Sequence, residues 1–215
     1  MPEISHCPLC GDTNTAFFHE DKRRTYLRCA RCMLVFVPPC FYLDVAAERA
    51  EYDKHRNDVD DVGYRGFLAR LAVPLLERLD NDACGLDFGC GPGPALAHML
   101  REAGHRVSVY DPYYAPDKSA LCGPYDFVTA TEVVEHLHLP GPELTRLWAS
   151  LKPGGWFGVM TKLVLDVSAF STWHYKNDPT HVCFFSRQTW QWWARQQGAQ
   201  LYFYGADVAL LRKCE

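Results

Sequence analysis

Along most of the chain, short apolar blocks of strand character alternate with segments whose apolar residues recur at helical spacing. Cys84 to Phe88 is an apolar run with one acid, Asp87, and reads as a buried strand. It enters a loop with glycines at 89, 91 and 93 and leaves through a helical segment, Ala95 to Ala103, ended by Gly104. Gly93 is the predicted N-cap and Pro94 the first helical residue, where a missing N–H removes no bond. Arg106 to Tyr110, Tyr125 to Thr131 and Trp156 to Met160 read as further strands; Pro142 to Leu151 is a helix that stops at Lys152-Pro-Gly-Gly155. Upstream, Phe67, Leu68, Leu71, Leu75, Leu76 and Leu79 make Tyr64 to Leu79 an amphipathic helix, with Pro74 kinking it or marking its start. Downstream, Ser186 caps a helix over Arg187 to Gln197 whose buried stripe is Trp190 and Trp193, and Gly198 ends it. Gln200 to Tyr204 and Val208 to Arg212 form a final antiparallel pair, whereas Leu163 to Phe185 matches no regular element. Strands separated by helices predict an α/β fold built on a parallel sheet.

The first forty residues break this pattern. Cys7-Pro-Leu-Cys10 and Cys29-Ala-Arg-Cys32 are separated by eighteen residues, the spacing of a four-cysteine zinc site. A two-residue gap lets both thiolates of a pair face one tetrahedral ion, and four thiolates close the shell, so the zinc is structural. Ala16 to His19, Thr25 to Arg28 and Met33 to Val37 read as the strands of a zinc ribbon, with His6 and His19 outside the ligand set. Lys22-Arg23-Arg24 falls at a hairpin tip and is either a solvated turn or a phosphate contact; the ribbon's balance of five basic against four acidic side chains favours the turn. Pro38-Pro39 ends the ribbon, Asp44 to Lys54 is a charged helix, and His55 to Asp61 is polar and exposed. The predicted organisation is a ribbon over 1–40, a linker and cap helix over 41–65, and the large unit over 66–215.

Composition adds bounds. The chain is 48% hydrophobic and 22% charged with a net charge of −4, so no global basic field attracts nucleic acid. The N-terminal Met-Pro-Glu-Ile-Ser-His-Cys has neither a basic nor an apolar leader region, and no run is long enough to span a membrane, so a cytoplasmic protein is expected. The remaining cysteines are scattered singly, which disfavours a disulfide framework; Cys84 and Cys90 flank the buried strand as small apolar residues.

The glycine loop carries the candidate chemistry. Glycines at a strand-to-helix turn let backbone N–H groups approach a ligand closely, beside a helix N-terminus. The dinucleotide fingerprint needs a glycine where Pro94 stands, and Gly-x-Gly-x-Gly is present instead. Asp111, directly after the second strand, is placed for a ribose diol. Three motifs in series, Leu-Asp-Phe-Gly-Cys-Gly-Pro-Gly, Tyr-Asp-Phe-Val-Thr-Ala-Thr-Glu-Val-Val-Glu-His-Leu and Leu-Lys-Pro-Gly-Gly, make residues 80–165 resemble class I S-adenosylmethionine (SAM)-dependent methyltransferases. The resemblance implies a Rossmann-like, mostly parallel sheet with helices on both faces, here preceded by the ribbon. It implies SAM held by Asp87, Phe88, Gly89, Cys90, Gly91 and Gly93, with Asp111 and Pro112 at the ribose and Ala130, Thr131 and Glu132 near the methionine end. One departure stands out: only thirteen residues, Pro112 to Pro124, occupy the place of the family's helix, third strand and second helix. That strand is an edge in the family's sheet, so six strands are expected, with adenine held by Tyr113, Tyr114 or Leu121.

The stretch Trp173 to Val182 is dense in polar and aromatic side chains, and a segment after the fifth strand would lie over the sheet's carboxyl end, where an acceptor approaches. Candidate bases are His181, oriented by Asp178 or a neighbour, and His136; His138 and His174 are weaker. The leading expectation is methyl transfer to a small-molecule acceptor. The alternatives are an RNA or protein acceptor docked by the ribbon, and a non-catalytic SAM-binding protein. Oligomeric state is open.

Overall fold

The computed structural model describes residues 6–54 and 58–214; the first three residues of the polar stretch at 55–61 lie outside the described residues. Two antiparallel strands, β1 (Thr15–Glu20) and β2 (Thr25–Cys29), and a short β3 (Val35–Phe36) build the ribbon. Two helices follow, α1 (Val45–Tyr52) and α2 (Val62–Leu76), each started by an aspartate: Asp44 accepts from the Ala47 amide at 2.8 Å and Asp61 from the Tyr64 amide at 2.6 Å. Pro74 lies in the last turn of α2, so it does not mark the helix start.

The large sheet uses β4 (Cys84–Phe88), β5 (Arg106–Tyr110), β6 (Tyr125–Thr131), β7 (Leu151–Met160), β9 (Gln200–Tyr204) and β10 (Val208–Arg212), in the order β5-β4-β6-β7-β10-β9. The first four are parallel, and β10 runs antiparallel to both neighbours. This is the mostly parallel, Rossmann-like sheet expected, and its six strands match the short connection after β5. That connection holds only a 3-10 turn, Lys118–Leu121.

Strand alternation sends successive side chains to opposite faces. Phe127, Met160 and Leu210 pack with α2 and with α3 (Ala95–Glu102), whereas Val128, Val159 and Leu211 pack with α4 (Pro140–Ala149) and α6 (Arg187–Gln197). Gly85 lets β4 pass the Phe127 ring; a Cβ there would lie 2.1 Å from it. Trp190 and Trp193 are core, as expected.

Several boundaries differ from expectation. Pro94, with ψ of 60°, is not helical and is itself the N-cap, so Ala95 rather than Pro94 opens α3 and Gly93 stands outside the cap. The Lys152–Gly155 stretch is not a turn before the strand but a bulge inside β7: Tyr125 pairs with Leu151 and Phe127 with Trp156. The segment after β7 is more ordered than its polarity suggests, holding α5 (Val167–Thr172), a 3-10 turn (His174–Asn177) and the two-residue β8 (Cys183–Phe184).

β8 pairs with β3, so the ribbon sheet, β1-β2-β3-β8, takes its fourth strand from the far end of the chain. Phe170 of α5 meets the rings of Phe18, Tyr26 and Phe184 at 5.2, 5.0 and 5.4 Å. At the basic hairpin tip Lys22 and Arg23 are exposed, as a solvated turn would be, but Arg24 is not. Arg24 is buried, and its guanidinium donates to the carbonyls of Lys176, Asp178, Pro179 and His181; Arg23 reaches Asn177. Lys176 is buried with it and pairs with Asp21 at 2.8 Å. Although burial pushes the Asp21 carboxyl up, Lys176 and the Arg23 and Arg24 amides outweigh it and hold the group well below the usual range. No helix among the described residues is long and apolar enough to cross a membrane.

Removing Arg24 strands several buried carbonyls at once, and each unmatched group costs about 1–3 kcal/mol. Arg24→Ala is therefore expected to lose roughly 2–4 kcal/mol of unfolding free energy in urea. Arg24→Lys should recover only part of that, because an ammonium lacks the planar fork. An unchanged urea midpoint for Arg24→Ala would contradict the clamp.

Candidate active site

The loop after β4 is shaped by contacts that leave little choice of residue. Gly89 has φ of +73°, and a Cβ there would sit 2.4 Å from the Val133 side chain in the loop after β6. The Gly89 and Cys90 amides both donate to the Tyr110 carbonyl, at 2.7 and 3.3 Å, tying the loop to the end of β5. Gly91, with φ of +64°, donates its amide to Asp111 Oδ2 at 3.0 Å. Asp111 Oδ1 accepts from the amides of Tyr113 and Tyr114 at 2.9 and 3.1 Å. A carboxylate offers about four acceptor positions, so roughly one is left for a ligand hydroxyl rather than the two a diol would use.

Asp87, one residue from the end of β4, is buried, and Thr129 Oγ1 donates to it at 2.7 Å. Burial pushes its carboxyl up to about 6, against the pull of that hydroxyl and of the Ala97 amide in the first turn of α3.

These groups border a cavity of about 690 Å³, a size suited to a cofactor with a small molecule. Asp87, Phe88, Gly89, Cys90, Gly91, Asp111, Pro112, Thr131, Glu132, His136, Asp178 and His181 all line it. Gly93 and Ala130 do not, Ala130 being fully buried in β6. Of the adenine candidates, Tyr113 and Tyr114 line the cavity and Leu121 does not; His138 lines it and His174 does not. The expected cap helix supplies part of the roof, though its residues were not singled out: Glu48, Tyr52, Tyr64 and Phe67 from α1 and α2 complete the wall. Tyr113 Oη donates to Glu48 Oε2 at 3.2 Å and Tyr114 Oη to Asp53 Oδ1 at 2.7 Å, joining α1 to the loop after β5.

Titratable side chains gather beyond the end of β6. His181 Nδ1 lies 2.7 Å from the Tyr175 carbonyl, which can only accept, so Nδ1 carries the proton and Nε2 is the basic nitrogen. Asp178 Oδ2 is 3.9 Å from Nε2, close enough to act on the ring's charge, while the direct hydrogen bond that fixes the ring goes to a neighbour, the Tyr175 carbonyl. The His136 and His181 rings meet edge to face at 4.6 Å. Behind them the Tyr175 hydroxyl bridges Glu132 and Glu135 and touches Thr161. Burial holds both carboxyls above the usual range. Glu135 and Tyr175 escaped the sequence reading, since nothing in their spacing brings residues forty apart together.

The four cysteines also converge. Cys7 and Cys32 Sγ are 3.4 Å apart, Cys10 and Cys29 Sγ 3.5 Å, and all four lie within 4.8 Å of one another. Tetrahedral thiolates at a zinc distance of about 2.3 Å are separated by about 3.8 Å, so the cluster has the dimensions for one ion. The amides of Arg31 and Cys32 point at Cys29 Sγ. The start of α4 is seated against the first pair: a Cβ on Gly141 would lie 2.4 Å from the Leu9 carbonyl oxygen.

A parallel sheet with a glycine loop after one inner strand and an acid closing its neighbour defines a Rossmann-like class of cofactor-binding proteins. Residues 53–202 match the methyltransferase domain family, and the chain belongs to that family. A search of the curated proteins finds no match. Among solved structures, the chain is similar to Burkholderia thailandensis 1,6-didemethyltoxoflavin-N1-methyltransferase with bound 1,6-didemethyltoxoflavin and S-adenosylhomocysteine. There the TM-score is 0.58 at 18% identity, covering 93% of this chain and 100% of the other. An O-methyltransferase family protein of the same organism gives 0.52 at 17%, covering 82% and 62%. A chain of the complex between the Haloferax volcanii Trm112 methyltransferase activator and a methyltransferase gives 0.51 at 12%, covering 75% and 100%.

Asp87 makes stability depend on pH. Its folded pKa is raised above the unfolded value of about 3.9, so its contribution favours folding below that value. The contribution is lost as pH rises through about 6. Asp87→Asn should therefore flatten the stability curve between about pH 4 and 6, by roughly 1–3 kcal/mol relative to the parent protein in denaturant titrations. Parallel curves for the two proteins would refute the shift.

Proposed function

We propose that the protein transfers a methyl group from SAM to a small-molecule acceptor. One observation carries the reading: a single cavity runs from the glycine loop and Asp111 to His136, Asp178 and His181. Asp111 and Glu132 end strands that flank β4, so the two ends of the cofactor would be held two strand spacings apart, roughly 10 Å.

In this reading Gly89, Cys90 and Gly91 offer backbone to the cofactor, with Asp87 and Phe88 behind them and Gly93 shaping the loop. Asp111 takes one ribose hydroxyl. Pro112, Tyr113 and Tyr114 replace the adenine contact of the absent strand. At the methionine end, Ala130 backs the wall, and the side-chain oxygens Thr131 Oγ1 and Glu132 Oε1 are buried without a hydrogen-bond partner among the described residues. An α-ammonium would satisfy them and draw the Glu132 carboxyl back to its charged form. The cofactor supplies the methyl group; the chain's own task is alignment. His181, through Nε2, is the candidate base, with His136 and Asp178 beside it.

The aromatic side chains in the cavity wall suit a small acceptor, and Arg24 of the basic ribbon tip is occupied within the molecule. Cys7, Cys10, Cys29 and Cys32 hold a structural zinc ion that braces the ribbon.

Calorimetry with S-adenosylhomocysteine should give saturable binding to the parent protein. Asp111→Ala should weaken it about 10–100-fold, the loss of one hydrogen bond to a charged group. No binding by the parent protein would refute the reading, and binding without turnover of any acceptor would favour a non-catalytic role. Cys10→Ser should lose the cysteine-held zinc, about one ion per chain, and lower the melting temperature, as should chelation of the parent protein. A melting temperature indifferent to metal would remove the zinc.

A further inference from the structure

We propose that Glu135, His136 and His181 form a second metal site, an open one, that holds a divalent transition ion in the acceptor end of the cavity. One ligand atom from each lies within 4.8 Å of the others. Glu135 and His136 are adjacent in the 3-10 turn Val134–His136 after β6, while His181 comes from the loop before β8. The Val182 amide donates to the Glu135 carbonyl at 2.8 Å, which fixes the two segments against each other.

Two further observations point to an ion. The Glu135 side chain is fully buried: Oε1 takes the Tyr175 hydroxyl, and Oε2 has no hydrogen-bond partner among the described residues. A buried carboxyl oxygen without a donor is unfavourable, and a cation beside it would relieve that cost. His181 has the arrangement of a metal-ligating imidazole: its Nδ1–H goes to a backbone carbonyl, so Nε2 is the nitrogen that would coordinate. Two imidazoles and a carboxylate select Zn²⁺, Fe²⁺, Co²⁺ or Mn²⁺ over Ca²⁺ or Mg²⁺, and three protein ligands leave a position open. The two histidines and Asp178 line the cavity while Glu135 stands behind them, so the open position faces the ligand space.

The role of the ion rests on the methyltransferase reading; its binding does not. With the ion bound, His181 Nε2 would be its ligand rather than the base; the ion would lower the pKa of an acceptor hydroxyl, whose proton passes to solvent and whose oxygen then takes the methyl group, leaving S-adenosylhomocysteine. The acceptor class is thus a small alcohol, enol or phenol.

Equilibrium dialysis of the full chain against Zn²⁺, followed by metal analysis, should give about two ions per chain, one of them in the cysteine site. His136→Ala and His181→Ala should each lose one ion and keep the other, and the retained cysteine-held ion reports that the variant has folded. Co²⁺ should give an imidazole–carboxylate spectrum in addition to thiolate charge-transfer bands, absent in both variants. One ion per chain in the parent protein, with only the thiolate signature, would overturn the site. Calorimetry with S-adenosylhomocysteine on the same samples separates the two ideas. Cofactor binding with one ion sinks the metal site alone; two ions without cofactor binding sinks the methyltransferase reading alone.

Discussion

A guanidinium buried in a protein needs a full set of acceptors, and Arg24 finds its acceptors in one short segment of backbone. The carbonyls of Lys176, Asp178, Pro179 and His181 all turn toward it. That segment carries Asp178 and His181, two of the polar side chains in the cavity wall. The arginine comes from the ribbon, so the ribbon shapes the loop that faces the ligand space. Asp21 strengthens the arrangement by pairing with the buried Lys176 and accepting from the amides of Arg23 and Arg24. A parallel path runs through the backbone: the Val37 amide donates to the Val182 carbonyl, and the Val182 amide to Glu135. In the reading proposed here, an ion in the cysteine site acts on the chemistry at a distance, through the hairpin it stiffens.

The sheet was legible because its signals are local. Asp111 follows β5 directly, the glycines follow β4, and each strand is long enough to show its pattern. The short connection after β5 could be read from residue count alone, since thirteen residues do not hold two helices and a strand. Non-local features were not legible. Arg24 looks solvated because its partners lie more than 150 residues away in the chain. β8 has two residues, too few to carry a period. α1 has no buried face, so nothing marked Glu48 and Tyr52 as the roof of the cavity. Pro94 misled because a proline after glycine is equally at home at the N-cap and one position later.

Losing the edge strand has a structural consequence that α1 offsets. With β5 as the edge of the sheet, the loop after it would be open on one side. Tyr113 and Tyr114 instead reach α1, through Glu48 and Asp53, and Tyr52 packs at 5.6 Å from the Tyr113 ring. The adenine half of the proposed site is thus built by a helix that precedes the sheet in sequence. The loop that normally leads into another strand serves as its anchor.

Glu132 links the two halves of the cavity. It is a non-glycine residue with φ of +52°, a conformation that costs about 1–2 kcal/mol and persists only where the surroundings impose it. Its amide still donates to the Met160 carbonyl at 2.8 Å, so the backbone remains tied to β7 while the turn sends the carboxyl into the cavity wall. There Oε2 lies 3.2 Å from the Tyr175 hydroxyl oxygen, whose single proton goes to Glu135, and Oε1 has no hydrogen-bond partner among the described residues. The same hydroxyl reaches Glu135, so the charge state of one carboxyl is felt by the other. A cation placed at either end, an ammonium beside Glu132 or a metal ion beside Glu135, therefore eases the burial of both. The strain at residue 132 is the local expense of holding two acids and one phenol in a position where an incoming ligand, rather than the fold, completes the electrostatics.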